Sequence, residues 1–407
     1  MRQLSATKNL SHYNMWLKNQ IFLFFFSISI FCGAQQSQLS PNAQISVLTC
    51  GAGDDLYTTF GHSAFRVQDP VQGIDVVYNY GTFDFNPPMF YVDFAKGNLF
   101  YSLSKQETPY FLYAYELENR WVKEQQLDLD LAQKNKLYKF LEINHLPENR
   151  DYKYDFFYNN CATKIGDVLE ETLGTKLHFE DQLEEKYTFR ELLHQKLTLN
   201  SWSNFGIDLA LGSVIDQTAS NKEHMFLPDY VMKQLGNSTL GHSKLVSKER
   251  TIINPKERKA GTNFITTPLF WILSLLLLVI IITYLNYKNK VRSRVLDFGL
   301  FIITGLAGIL LLFLWFFTDH TATVYNFNIL WVFPLNTIVA FILFKKNTEA
   351  SWLPKYLILL LAMLVLTVIL WIFNIQSFSP LIAPLLIMLG IRYLFLWNYF
   401  QQSTRLK

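Results

Sequence analysis

Five apolar segments crowd the end of the chain, at 268–285, 296–317, 325–344, 356–373 and 380–397. Each is close to the roughly 20 residues that an α-helix needs to cross the hydrocarbon core of a bilayer. That core holds no water to satisfy backbone N–H and C=O groups, so an open chain crosses it as helix. An all-α five-helix transmembrane domain is expected over 265–400, followed by a short tail, 401–407. Loop charges set its orientation, because short cytoplasmic loops collect Lys and Arg. Lys288, Lys290, Arg292 and Arg294 lie between the first two segments, Lys345, Lys346 and Lys355 between the third and fourth, and Arg405 and Lys407 at the end. The alternate loops, around Asp319 and over 374–379, carry none. The C-terminus is therefore expected in the cytoplasm and the region before the first span outside it, as in a multi-pass protein of a bacterial inner membrane.

The chain's start agrees. Arg2, Lys8 and Lys18 precede an apolar run, 21–31, that ends in Cys32-Gly33-Ala34-Gln35. This is the pattern of a signal peptide over 1–34, cut after Ala34, and the run is short for a membrane anchor. A periplasmic domain is expected next, over 35–237, and then a polar linker over 238–264. Lys and Arg number 36 against 33 Asp and Glu, scattered among one another, so nucleic acid is excluded as a partner.

Within 35–237 the patterns are mixed. Alternation predicts strands at 45–49, 62–68, 74–80, 99–103, 121–129 and 152–157; helical spacing appears at 89–96, at 132–143 and after Cys161 through Ile165, Val168, Leu169 and Leu173. This is α+β grammar. The acidic runs Glu170-Glu171, Glu180-Asp181 and Glu184-Glu185 have no His at ligand spacing, so no metal and no cofactor are expected.

Two short runs carry the chemistry: Gly61-His62-Ser63-Ala64-Phe65-Arg66 and, about a hundred residues on, Asn159-Asn160-Cys161-Ala162-Thr163. A thiol becomes a nucleophile when its thiolate is stabilised, by a helix N-terminus or a neighbouring imidazole. Asn159-Asn160 is turn or cap material, which puts Cys161 in the first turn of a helix. A free Cys is more often a small buried hydrophobe and a lone His a satisfied polar group, so it is the pairing that points to catalysis. Cys50 is the other cysteine of this region. A bridge between Cys50 and Cys161 would abolish the nucleophile and is not needed in a domain of this size, so two free thiols are expected, with Cys50 as packing.

These runs, with Val47-Leu48-Thr49-Cys50-Gly51 and Tyr78-Asn79-Tyr80-Gly81-Thr82-Phe83, resemble the periplasmic domain of the Lnb-type bacterial lipoprotein N-acyltransferases. The resemblance extends over about 44–235 through Ser201-Trp202, Gly206-Ile207-Asp208-Leu209 and Phe226-Leu227-Pro228, and the membrane segments fit it. It implies a permuted papain-like fold of the NlpC/LRAT type with Cys161 and His62 as the catalytic pair. It also implies transfer of an acyl chain from a membrane phospholipid, through a Cys thioester, to the N-terminal amine of a diacylated lipoprotein. The third member is left open among Asn79, Asp208 and Asp216, with Asn79 preferred because its strand is expected beside that of His62; Asn160 stands beside them as an orienting or oxyanion candidate. Asp319, His320, Asn326 and Asn328 form a polar cluster at the outer ends of spans two and three, read either as functional or as a solvated loop. Two other functions remain open: a cell-wall peptide or amide hydrolase of the same fold, and a membrane sensor that binds lipid or peptide without turnover.

Overall fold

The computed structural model of the protein describes residues 38–83, 89–179, 186–256, 263–346 and 351–405. The expected signal peptide, the acidic run 180–185, Arg258, Lys259 and Lys407 lie outside the described residues.

Alternating side chains build β1 (Gln44–Cys50), β2 (His62–Asp69) and β3 (Ile74–Thr82), the last two joined by the turn at Gly73. After α1 (Phe90–Lys96) come β4 (Phe100–Glu107), α2 (Thr108–Leu117), β5 (Val122–Leu127), α3 (Leu131–His145) and β6 (Asp151–Lys153). Together with β7 (Val246–Ile253) the strands form a seven-stranded antiparallel sheet in the order β7-β5-β1-β2-β3-β4-β6. One face, with Ile45, Val47, Phe65, Val67 and Tyr78, is buried against Leu137 and Leu141 of α3 and Ile165, Val168 and Leu169 of α4 (Thr163–Leu173). The other face, with Leu48, Cys50, Ala64, Val77 and Val122, is covered by Phe111 of α2. Each large side chain so buried stabilises the domain by about 1.5–3 kcal/mol. The domain is α+β, as the patterns indicate.

Three local readings differ. The strand expected over 152–157 ends at Lys153, because the Asp155 carboxylate accepts from the Phe157 and Tyr158 N–H groups and folds the chain into a turn. Helix α2 is absent from the sequence patterns above, although Pro109 in its first turn is a recognised start signal. The polar stretch expected as a linker over 238–264 instead contains β7, which pairs with β5 from Val246↔Leu127 to Ile253↔Val122. Charges hide this strand, and they suit its edge position. Arg250 reaches across to the buried Glu124 at 2.6 Å, and Arg66 holds the other carboxylate oxygen at 3.0 Å.

Helices α5 (Phe189–His194), α6 (Trp202–Ala210) and α7 (Pro228–Asn237) lead to the membrane domain, whose five helices are α8 (Pro268–Asn289), α9 (Arg294–Phe316), α10 (Asn336–Phe344), α11 (Leu353–Ile372) and α12 (Ile382–Arg405). Among the described residues four helices, α8, α9, α11 and α12, are long and apolar enough to cross a bilayer, with much of their apolar surface facing outward. The third segment, expected as one helix over 325–344, is α-helical only from Asn336. Pro334 lacks an N–H to continue the ladder, and the backbone here lies against α9, where a Cβ on Gly308 would stand 1.9 Å from the Val332 carbonyl oxygen. At the far end of this domain Asp297 of α9, Arg392 of α12 and Arg292 form a buried cluster. Arg392 donates to Asp297 at 2.7 Å and to Thr283 and Asn286 of α8 at 3.1 Å, which ties three helices together.

The start of the third segment does a different job: it docks the sheet domain. Asn326 Nδ2 donates to the carbonyls of Leu209 and Ala210 at 2.8 and 3.0 Å, and Asn328 Nδ2 to that of Asp208 at 3.0 Å. These carbonyls end α6, where a helix leaves acceptors without internal partners. Gly212 and Ser213 donate their N–H groups to the carbonyls of Ala322 and Tyr325. The apolar contacts interlock likewise: Ala322 is buried among Phe189, Ile215 and Phe226, while Phe205 and Leu209 pack on the membrane core.

Candidate active site

Residue Asn160 fixes the start of the cysteine helix. Its Oδ1 accepts from the Ala162 and Thr163 N–H groups at 2.8 and 2.9 Å, and its backbone carbonyl accepts from Lys164 at 3.1 Å, which orders the turn of Cys161 and Ala162 leading into α4, so the thiol stands just ahead of the helix rather than in its first turn as expected. Both protons of the Asn160 amide are used, on the carbonyls of Phe156 and Phe226 at 2.8 Å. The Asn160 carboxamide is thus engaged on both sides with the backbone around the thiol.

Cys50 and His62 face one another across β1 and β2, but pairing between β2 and β3 stops at Phe65↔Tyr78. The strands part beyond that point, and Cys161 sits in the gap. The backbone N–H groups of Ser63 and of Cys161 itself lie near the sulfur and favour its ionised form. On the other side lies Gly81, with φ of 88°, where a Cβ would stand 3.2 Å from that of Cys161 and 3.6 Å from the Tyr154 ring. Only glycine meets both demands at this position.

His62 hydrogen-bonds the Cys161 thiol and, through Nε2, the Oδ1 of Asn79 at 2.5 Å. The carboxamide oxygen can only accept, so it holds the proton on Nε2 and turns Nδ1 toward the sulfur. Burial disfavours the Cys161 thiolate, but the charge and hydrogen bond of His62 and the two backbone N–H groups outweigh it and hold the thiol below its ordinary value. His62 shows the complement: burial lowers its pKa, the Cys161 charge and the Cys161 and Asn79 hydrogen bonds raise it, and the net shift is upward. The two shifts run in complementary directions, the thiol down and the imidazole up, each favouring charge on its partner, with the Asn79 amide beside them.

Of the other orienting candidates, neither touches His62. Asp208 and Asp216 are held by the buried Arg190, at 3.2 and 2.8 Å, and Asp208 also takes His194 at 2.8 Å and Asn204 at 3.0 Å. They belong to the docking module, a role that residue type alone does not separate from catalysis. The polar cluster is divided between the same interface and its rim. Asn326 and Asn328 are buried there; Asp319 accepts from Lys153 Nζ at 2.8 Å, and His320 Nε2 meets the Phe94 carbonyl at 3.0 Å. The contacts thus place Asn326 and Asn328 inside the interface and Asp319, still exposed, at its rim. Among the described residues no group of His, Cys, Asp and Glu has the arrangement of a metal site.

Cys50 and Cys161 are both free thiols. Cys50 is fully buried, and burial pushes its pKa up to about 12 despite a hydrogen bond with Tyr115. Such a thiol stays protonated and inert. Cys50→Ala is therefore expected to leave the alkylation rate of Cys161 within about twofold of wild type and to lower stability by about 1 kcal/mol, the cost of a small cavity. Alkylation kinetics followed by mass spectrometry, with thermal unfolding, check both.

Lys153, at the end of β6, and α1, which leads into β4, are the parts of the sheet domain that meet Asp319 and His320. The sheet end that carries Cys161 and His62 is thus the end that faces the membrane domain. Fold and site together define a membrane protein of α+β plus helical design with a Cys/His/Asn constellation held above its spans. Two family models match the chain, the Lnb N-terminal periplasmic domain over residues 33–195 and the Lnb transmembrane domain over residues 259–404. The chain belongs to the Lnb family, as a membrane protein with a periplasmic domain, an arrangement that fits the inner membrane. No curated protein and no solved structure matches it.

Proposed function

We propose that the protein is a cysteine-dependent acyltransferase that moves an acyl chain from a membrane phospholipid to the N-terminal amine of a diacylated lipoprotein. The observation that carries this reading is the thiol–imidazole pair of Cys161 and His62 on the sheet end that meets the membrane domain. The Cys161 thiolate adds to the ester carbonyl; the tetrahedral intermediate expels the lysophospholipid alkoxide, which takes a proton from the His62 imidazolium, and a thioester remains. The amine then attacks the thioester, His62 accepts its proton, and the amide leaves with the thiolate restored. The backbone N–H groups of Ser63 and Cys161, beside the sulfur, serve the oxyanion of each intermediate. Donor and acceptor are both lipids confined to the surface above which the site is held, so the encounter is reduced to two dimensions. A permuted papain-like ancestry fits the order of the His strand before the Cys helix. The loop charges support a cytoplasmic C-terminus, and a periplasmic reporter fused there is expected to stay silent.

The test uses purified protein in vesicles with a diacylated lipopeptide. The expected products are an N-acylated lipopeptide and lysophospholipid in equal amounts. Free fatty acid without amide, or a cleaved peptide, would instead assign hydrolysis.

A further inference from the structure

An unbroken line of aromatic rings connects the nucleophile with the membrane domain. It begins at Tyr154, whose ring lies 3.6 Å from the point where Gly81 would carry a Cβ, in the gap that holds Cys161. The Tyr154 ring meets that of Phe156 edge-on at 5.4 Å, Phe156 meets Phe94 at 6.5 Å, and Phe94 meets His320 at 6.4 Å. His320 lies just beyond the outer end of α9. Tyr154 and His320 at the two ends are half-buried, whereas Phe156 is 45% and Phe94 43% exposed. Exposed phenyl rings are costly in water, and a row of them marks a surface meant for an apolar partner. Their position is pinned. The Asp319 N–H donates to the Lys96 carbonyl at 2.8 Å and His320 takes the Phe94 carbonyl at 3.0 Å, so α1 rests on the loop that tops α9.

We propose that the rings of Tyr154, Phe156 and Phe94 form the wall of an acyl-chain path from the outer membrane surface to Cys161. This rests on the acyl-transfer reading and adds to it where the fatty chain lies. A saturated chain lifted from the bilayer exchanges lipid contacts for aromatic ones along the wall and loses little, while its ester arrives at the thiol. The half-buried Tyr154 end selects for a chain that fills it, and the exposed rings of Phe156 and Phe94 stay open to the outer leaflet. Lys153, paired with Asp319 beside the path, keeps charge at its rim and away from the rings.

The experiment compares the full-length protein with a Phe94→Ala/Phe156→Ala variant and a Phe94→Leu/Phe156→Leu variant, all in detergent. Initial rates of thioester formation are measured with dipalmitoyl and with dihexanoyl phosphatidylethanolamine, and Cys161 alkylation by iodoacetamide reports the integrity of the site. The long- to short-chain rate ratio is expected to fall about tenfold in the alanine variant and to be largely restored by leucine, as for the loss of contact with one or two methylenes. Alkylation is expected to match wild type. A ratio unchanged in the alanine variant, or a parallel fall with both lipids, overturns the path. Wild-type protein that alkylates normally yet forms no thioester with either lipid overturns acyl transfer itself, and the path with it.

Discussion

Cys161→Ala is expected to lower acyl transfer by roughly 10⁴-fold or more, the scale on which a lost covalent nucleophile is felt, with folding and membrane insertion intact. The thiol is small and the helix start is fixed by Asn160 rather than by Cys161, so its removal takes no cap away. Cys161→Ser is expected to be as inactive. A serine hydroxyl at that position keeps its hydrogen bonds but remains protonated, since the forces that lower a thiol are far too weak to ionise an alcohol in a buried site. Transfer to the lipopeptide and thermal unfolding measure the two halves of this expectation. Turnover in the alanine variant would remove the nucleophile from the account.

The second large effect is expected at His62. His62→Gln removes the proton carrier for both half-reactions, a loss on the order of 10²- to 10⁴-fold. The pH dependence gives a sharper signature. In the wild type the Cys161 thiol ionises below its ordinary value because the imidazolium and the backbone donors outweigh burial. In the variant burial remains and the imidazolium is gone, so the midpoint of iodoacetamide reactivity is expected to move to higher pH. The wild-type transfer profile should also fall on its alkaline side as His62, whose pKa is raised, loses its proton. An alkylation midpoint unmoved by His62→Gln would show that the imidazole does not set the thiolate.

The pairing of His62 and Cys161 is legible in the sequence because two local signals, a strand opening after glycine and an asparagine-capped helix, each fix a direction for one side chain. Asn79 is legible for the same reason, since a neighbouring antiparallel strand presents alternate residues on the same face. What escapes is non-local. Asp208 and Asp216 look like any carboxylate able to orient an imidazole, and their actual partner, Arg190, is identified only when α5 and α6 are folded together. Asn326 and Asn328 sit in an apolar stretch that reads as a span, and it is the free carbonyls at the end of α6 that draw them into the interface. Strand β7 is lost to its own charges: Lys248, Glu249 and Arg250 suggest a linker until Glu124 supplies a buried partner for one of them. Ser63 lies where β2 no longer pairs with β3, and Gly81, with its positive φ, marks a bulge between β3 and β4 at the same end of the sheet.

Acylation of Cys161 is the step on which everything else depends. Intact-mass spectrometry of the detergent-solubilised protein, incubated with a single defined diacyl phospholipid and no amine acceptor, tests it most directly. The account predicts one added acyl group, with one hydrogen lost, mapped to Cys161, released by hydroxylamine and absent from Cys161→Ala. A protein that retains phospholipid but shows no covalent adduct, or an adduct that persists in Cys161→Ala, would contradict it.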